Sequence, residues 1–516
     1  MMQAHIEGAP SHTEGVPASI LTLRPYQANA VQNLRIALGA GIKRQMLSSP
    51  TGSGKTEIGM ALVKGARAKG KRVAFLCNRV HLVLQTSQRF MRSGIAHGII
   101  QGANTARVYE NVLVGSIQTI ARRGLPEVDL LIIDEAHTVA GSKDYRAVME
   151  AARGIPVIGL SATPFAKGLG KHYDTLGGPL FEQMTVAATI SELIADGFLV
   201  DCDVYAPSEP DMQGIKQSKN AYGELDYTDA DVGRAIDKPD LVGDIVAHWK
   251  RLAAGTSTVC FAASIAHSQH IVARFHSAGV TAEHIDCYTD DDERMAILRR
   301  VEAGETLIVS NVGILAEGWD FPACKTLILA RPTRSLIRYI QMAGRVLRPH
   351  ASKERALIID HSGTVTRLGF PTDDFPLELD DGTPREGGAT EQREKPLPKA
   401  CTSCGYVKNT HACPVCGFAA VRQPDVKVQA GTLVLQTKKN KKPKYDKQRF
   451  YSELIAIARS KGYQQGWIAH KFQAYFGTWP RGLRDVATEP GPEVQGFIKH
   501  LQIRHAKRSG ASHATD

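Results

Sequence analysis

Ser49-Pro50-Thr51-Gly52-Ser53-Gly54-Lys55-Thr56 stands between a short apolar segment at 45–47 and a helical pattern at 57–64. A small, glycine-rich loop at a strand-to-helix junction turns backbone N–H groups inward around phosphate oxygens, and the positive end of the following helix adds to the attraction. Thr51, Gly52, Ser53 and Gly54 would form the cradle, Lys55 would reach the β- and γ-phosphates of ATP, and Thr56 would bind Mg²⁺ through its hydroxyl. The first position is Ser49 where the strict pattern has glycine, small in either case. Taken alone, the stretch also fits a glycine-rich turn with an incidental lysine.

Outward from the loop, Leu131-Ile132-Ile133 runs straight into Asp134-Glu135-Ala136-His137. Two carboxylates then sit at the carboxyl end of a buried strand, where open α/β sheets place their ligands. One acid, Asp134, can stay on the metal while the other, Glu135, orients and deprotonates water. A helix N-cap is the plainer reading of such a pair. From residue 21 to about 367, β-rich apolar runs at 73–77, 112–115, 130–133, 157–160, 259–262, 306–310 and 325–329 alternate with helical patterns. That alternation predicts an α/β fold of two parallel sheets covered by helices. The polar stretch 208–240 reads as an insertion or extended connection in the second lobe.

The motif series resembles the superfamily 2 helicases of the DEAD/DEAH type. Gly-Ser-Gly-Lys-Thr, Asp-Glu-Ala-His and Ser161-Ala162-Thr163 occur in the family's order, preceded by Leu23-Arg24-Pro25-Tyr26-Gln27. Glu317-Gly318-Trp319-Asp320 and Gln341-Met342-Ala343-Gly344-Arg345-Val346-Leu347-Arg348 follow. The likeness extends equally to RadD-like and XPB-like DNA helicases and to related phage proteins. It implies two tandem RecA-like P-loop lobes, at 20–188 and 189–370. It further implies that Gln27, with Arg24, reads the adenine, that Gly318 and Asp320 line the nucleotide site, and that Gln341, Arg345 and Arg348 act on the phosphates. Ser161, Thr163 and His137 would couple hydrolysis to the nucleic-acid side. Arg79, Gln85, Ser116, Gln118 and Thr119 map onto segments that contact the nucleic-acid backbone. Asn78 and Trp319 replace the family's more usual proline and phenylalanine.

The chain has 516 residues and a net charge of +11, with 43% hydrophobic residues, enough for several cores. Residues 1–19 are small and polar with Glu7 and Glu14, so a disordered leader is expected rather than a secretory signal. No apolar run approaches the length that spans a bilayer. Residues 371–400, rich in proline, glycine and acids, read as a linker. Beyond residue 400 there are 19 Lys and Arg against 7 Asp and Glu, so the basicity belongs to the tail.

Cys401-x2-Cys404 and Cys413-x2-Cys416, each pair followed by glycine, predict a zinc ribbon at 401–420 holding structural Zn²⁺. Disulfides and an iron–sulfur site are the alternatives. The basic linker 421–447 contains Lys438, Lys439, Lys441 and Lys442, which read equally as a solvated spacer or as a phosphate-binding arm. A helical module is expected at 448–516; its aromatics read as core ahead of a base-stacking surface. Together these features predict an ATP-dependent DNA helicase or duplex translocase in repair, replication or phage DNA metabolism. An RNA helicase or a non-catalytic nucleic-acid scaffold remains as an alternative. The expected place is the cytoplasm of a bacterial or phage-infected cell, at the nucleoid and without a membrane, with partner proteins docking on the tail.

Overall fold

The structure is a computed structural model that describes residues 22–501 except for 207–209, 211, 221–223, 238, 376–377, 384–396, 420–445, 477, 492–493 and 500. The expected leader and the lysines at 438–442 lie outside the described residues.

The first lobe contains α1 (Pro25–Gly39), β1 (Arg44–Ser48), α2 (Lys55–Arg67), β2 (Val73–Cys77), α3 (Val80–Arg92), β3 (Gly98–Ile100), β4 (Val112–Ser116) and α4 (Ile117–Arg123). It continues through β5 (Leu130–Asp134), α5 (Lys143–Ala151), β6 (Val157–Ser161), a small hairpin of β7 (His172–Tyr173) and β8 (Gly178–Pro179), and β9 (Gln183–Val186). The main sheet is parallel in the order β3-β4-β2-β5-β6-β1-β9. Every residue of β2, β4 and β6 is buried, the signature of a strand covered on both faces. One apolar cluster, with Met46, Leu131 and Ile133, fills one face, and a second, with Leu47, Phe75 and Ile132, fills the other. The alternation along β5 therefore feeds both cores at once.

The second lobe begins with α6 (Ile190–Ala195), capped reciprocally by Thr189 and Glu192. It then runs through β10 (Cys202–Tyr205), an antiparallel hairpin of β11 (Gln217–Lys219) and β12 (Leu225–Tyr227), α7 (Asp229–Ile236), α8 (Pro239–Leu252), β13 (Thr258–Phe261) and α9 (Ile265–Ser277). β14 (Ala282–Ile285), α10 (Asp291–Glu302), β15 (Ile308–Asn311), β16 (Thr326–Leu329), α11 (Leu336–Ala343), β17 (Ala356–Asp360) and α12 (Thr364–Leu368) complete it. Its parallel sheet has the order β10-β17-β16-β13-β15-β14.

Three stretches are more ordered than their composition suggests. The polar insertion forms the β11–β12 hairpin, which docks through buried Asp226: its carboxylate accepts hydrogen bonds from Thr333 Oγ1 (2.8 Å), Arg334 N (2.7 Å) and Arg338 Nη1 (2.8 Å), just ahead of and within α11. The segment read as a linker partly folds back on the first lobe, where Gly168 N and Gly170 N each donate to Asp380 at 2.7 Å. The cysteine ribbon, with β18 (Lys399–Ala400) and β19 (Val407–Lys408), attaches to the second lobe rather than standing apart. Tyr205 pairs with Tyr406, Ala206 N donates to Gly405 O at 2.9 Å, and Val407 enters the second lobe's core.

The C-terminal module is a separate compact unit. Its helices α13 (Lys447–Lys461) and α14 (Gln465–Phe476) enclose a core of Phe450, Leu454, Ile468, Phe472, Val494 and Ile498.

Candidate functional site

The phosphate loop is held from two sides. Ser49 N donates to Ser161 O at 2.9 Å, pinning the loop's start to the end of β6. Ser49 is wholly buried and its hydroxyl meets that of Ser53 at 2.6 Å, so serine at this position closes the loop on itself. From α1, Gln27 Nε2 and Tyr26 Oη both donate to Ser53 O, at 2.8 and 2.6 Å. Gln27 Oε1 accepts from Arg24 N at 2.9 Å, and the Arg24 guanidinium lies 4.4 Å from the Phe198 ring centroid. One end of the Gln27 amide thus holds the loop while the other caps the start of α1.

Asp134 ends β5 and accepts from Glu135 N at 3.0 Å. Burial raises the Asp134 carboxyl to about 6. Glu135 is also buried, which alone would raise it, yet the Lys55 ammonium beside it outweighs burial and holds it below its usual value. Lys55 Nζ is 3.1 Å from Glu135 Oε1. Glu135 adopts φ of +48°, a left-handed conformation uncommon outside glycine and asparagine, and it is one of two such non-glycine residues among those described. This turn swings the carboxylate toward the cavity as β5 ends. Its Oε2 atom is buried, has no hydrogen-bond partner, and lies 3.4 Å from His137 Nδ1.

Behind the acids, His137 gathers the coupling residues. Its Nδ1 lies 3.0 Å from Ser161 Oγ and 3.4 Å from Thr163 Oγ1, and its Nε2 lies 3.3 Å from Gln341 Nε2 of the second lobe. Burial lowers its pKa, so the ring is neutral near pH 7 and can both donate and accept. Four residues drawn from three motifs and both lobes therefore meet around one imidazole.

The second lobe brings its arginines to the same cavity. Arg345 Nη1 donates to Trp319 O at 2.6 Å; Arg348 Nη1 donates to the same carbonyl at 3.2 Å and pairs with Asp320. Burial, with the like charge of Arg348 beside it, presses Arg345 down to about 9, which leaves it cationic at neutral pH. A Cβ added at Gly52 would come within 3.0 Å of Arg348 Cγ, so the arginine stem lies directly on the phosphate loop. Gly318 has φ of +80°, and a Cβ there would strike the His81 ring and Leu82, which explains why glycine sits at this lobe crossing. The cavity of about 490 Å³ is lined by Lys55, Thr56, Asp134, Glu135, Arg345 and Arg348 among others. This donor set suits a magnesium–triphosphate: cations for the phosphates, and a hydroxyl and a carboxylate for the metal.

Residues 20–166 match the family described as Type III restriction enzyme, res subunit, and residues 237–350 match the helicase conserved C-terminal domain. The chain belongs to the superfamily 2 helicases. It is 26% identical to the 51.5 kDa protein of a Lactococcus phage over 428 residues, covering 81% of this chain and 89% of that protein. It is 30% identical over 391 residues to a Saccharomyces cerevisiae protein named for an ATP-dependent helicase, IRC3, covering 70% of this chain and 55% of the yeast protein. The type I restriction enzyme EcoAI endonuclease subunit of Escherichia coli is 26% identical over 62% of this chain and 44% of its own. Among solved structures, a fragment of an HsdR subunit from Vibrio vulnificus matches with a TM-score of 0.51 at 22% identity, covering 70% of this chain and 67% of that one, and supports the two-lobe fold. This helicase is a nucleic-acid-dependent ATPase. No described helix is long and apolar enough to cross a membrane.

Five helicase residues expected at the nucleic acid are placed otherwise engaged. Arg79 Nε forms an ion pair with Glu317 Oε2 at 2.8 Å, and Gln85 Nε2 donates to Gly318 O at 2.9 Å, so both bridge the lobes. Ser116 caps α4, accepting from Thr119 N at 3.2 Å; Thr119 Oγ1 also accepts from Gly102 N at 2.9 Å, and Gln118 Nε2 donates to Asn78 O at 2.9 Å. Sequence reading missed the interlobe partners Glu317 and Arg89, the latter 3.3 Å from Asp320. Charge alone gave no signal there, because the pairs are more than 200 positions apart in the chain.

The four paired cysteines converge. Their sulfurs all lie within 4.8 Å of one another, with Cys401–Cys416 and Cys404–Cys413 both at 3.7 Å. A tetrahedron around Zn²⁺ with bonds of about 2.3 Å has edges near ~3.8 Å, so the spacing fits. Gly405 N donates to Cys401 O at 2.8 Å and Gly417 N to Cys413 O at 2.9 Å, forming two equivalent knuckles. Backbone N–H groups directed at Cys401 lower its thiol pKa, while at Cys413 burial opposes the same effect and the thiol falls to about 6.

Proposed function

We propose that this helicase is an ATP-driven motor on DNA, a translocase or helicase acting in bacterial or phage DNA metabolism within the cytoplasm. The observation that carries this reading is the meeting of Lys55 and Glu135 with Arg345 and Arg348 in one interlobe cavity. ATP phosphates would rest on the loop N–H groups and Lys55, with Thr56 and Asp134 holding Mg²⁺. Glu135 Oε2 would take a proton from water attacking the γ-phosphorus as the bond to the β,γ-bridging oxygen breaks and ADP leaves. The arginines would neutralise charge developing on the transferring group.

Because Gln341 approaches His137, lobe closure and the γ-phosphate site would change together, and His137, Ser161 and Thr163 would pass that change toward α4. Relatives named for restriction endonuclease subunits support DNA as the track. We assign zinc to Cys401, Cys404, Cys413 and Cys416; it would brace the ribbon against β10. ATPase assays with duplex DNA, single-stranded DNA and RNA test the reading. DNA should stimulate turnover at least about tenfold, and stimulation by RNA alone would overturn DNA as the track. Metal analysis should give one zinc per chain; iron, or no metal in protein purified without chelators, would overturn that assignment.

A further inference from the structure

The C-terminal module has closed its core without using all its aromatic residues. On α14, Ile468 and Phe472 point into that core, while Trp467, partly buried against the core's margin, shares a neighbouring face with His470 and Lys471 at the i, i+3 and i+4 spacing. Tyr463 lies against Trp467 with ring centroids 4.7 Å apart and planes inclined by 33°. Lys471 Nζ is 5.9 Å from the Trp467 centroid, and His470 packs on Trp479 at 5.2 Å. Tyr463 remains 37% exposed and Trp479 47% exposed, an unusual expenditure of large aromatics outside a core.

We infer that this face is a stacking platform for unpaired nucleic-acid bases, separate from the motor. Charge decides the occupant. Residues 454–484 contain Arg459, Lys461, Lys471, Arg481 and Arg484 and no aspartate or glutamate. A partner protein's apolar helix would leave Lys471 on this face without a counter-charge, whereas a nucleic-acid strand supplies phosphates for it and for the surrounding basic stretch and π-faces for the rings. Paired bases keep their faces stacked inside the duplex, so the platform takes single strands or the unpaired arm of a junction. Recognition by stacking uses a face that every base has, so it tolerates sequence.

The full-length protein carries its own probe. Of its four tryptophans, Trp249 and Trp319 are buried, so quenching by a bound strand reports on Trp467 and Trp479. Titration with a dT20 oligonucleotide should quench tryptophan fluorescence to saturation, and a 20-bp duplex should compete poorly. Trp467→Ala with Trp479→Ala should remove the quench and weaken dT20 binding, read by anisotropy of a labelled strand, by about tenfold or more. Trp479→Ala alone, at an exposed site, should still weaken it severalfold and serves if the double variant melts early. Undiminished dT20 affinity in Trp479→Ala and in a folded double variant would overturn the inference and turn the face over to a protein partner. Equal competition by duplex would also overturn it. Neither readout passes through ATP hydrolysis, so failure of the motor reading would leave this result standing, and the reverse.

Discussion

The two lobes share a parallel-sheet architecture yet prepare their parts of the cavity by opposite means. In the first lobe, Lys55, Asp134 and Glu135 are set by local chain geometry: a loop tied to β6 and α1, and a strand that ends in its two acids. In the second, Arg345 and Arg348 are set by borrowed contacts, both donating to the carbonyl of Trp319, while Glu317 and Asp320 from that same segment reach Arg79 and Arg89 of the first lobe. One lobe therefore carries a ready phosphate cradle. The other carries charges whose placement depends on how the lobes meet. Such a division lets closure govern hydrolysis, because guanidinium charge helps only when it stands beside the transferring phosphoryl group.

The sharpest way to break this contrast is inside the first lobe. Lys55→Ala should weaken ATP binding and lower turnover by at least about 10³-fold, since the phosphates lose their main cation. Glu135→Gln should lower turnover comparably while ATP and DNA binding persist, because cradle and metal ligands survive. Equilibrium binding of a fluorescent ATP analogue separates the two; equal loss of affinity would contradict their assigned roles.

A smaller effect should come from the crossing itself. Arg79→Ala leaves the buried Glu317 carboxylate without its cross-lobe cation, and turnover should fall roughly three- to tenfold with ATP affinity little changed, given that Arg79 is partly solvent-screened. Steady-state kcat and KM measure this, and a change confined to KM for ATP would show that the pair shapes the pocket instead.

The last effect concerns the acid stability of the second lobe. Burial lowers His267 to about 4 and His361 to about 3, both in the second lobe. Unfolded histidines take up protons near pH 6.5 while these folded ones stay neutral, so stability is full above pH 6.5 and drains as pH falls toward 4. For His267 the loss approaches about 3 kcal/mol at pH 4, on the order of one proton over the window. Asp360, raised by burial, opposes part of it. His267→Asn should flatten the dependence of the melting temperature on pH between 6.5 and 4.5; an unchanged slope would remove this group from the account.

How much was readable follows the same division. The phosphate loop, the acids after β5 and the cysteine knuckles are short-range patterns, and each is found with its parts assembled. Central strands such as β2, β5 and β16 announce themselves by continuous apolar runs. The edge strands β9 and β10 do not, because one side of each lies at the sheet margin and Gln183 and Asp203 interrupt the run. Residues 371–400 look like a linker by composition, yet Asp380 within them finds two backbone N–H donors on the first lobe. Ser116, Gln118 and Thr119 could be named from their motif, but not the local bonds that hold them. The ion pairs of Arg79 and Arg89 exist only once the lobes are side by side.

Single-turnover hydrolysis by Arg345→Ala, with ATP affinity measured on the same protein, tests the division between the lobes most directly. Hydrolysis in the presence of DNA should fall at least about 10³-fold while ATP affinity stays within roughly tenfold of the parent. DNA-stimulated hydrolysis at the parental rate would show that the second lobe's charge is not needed at the phosphates.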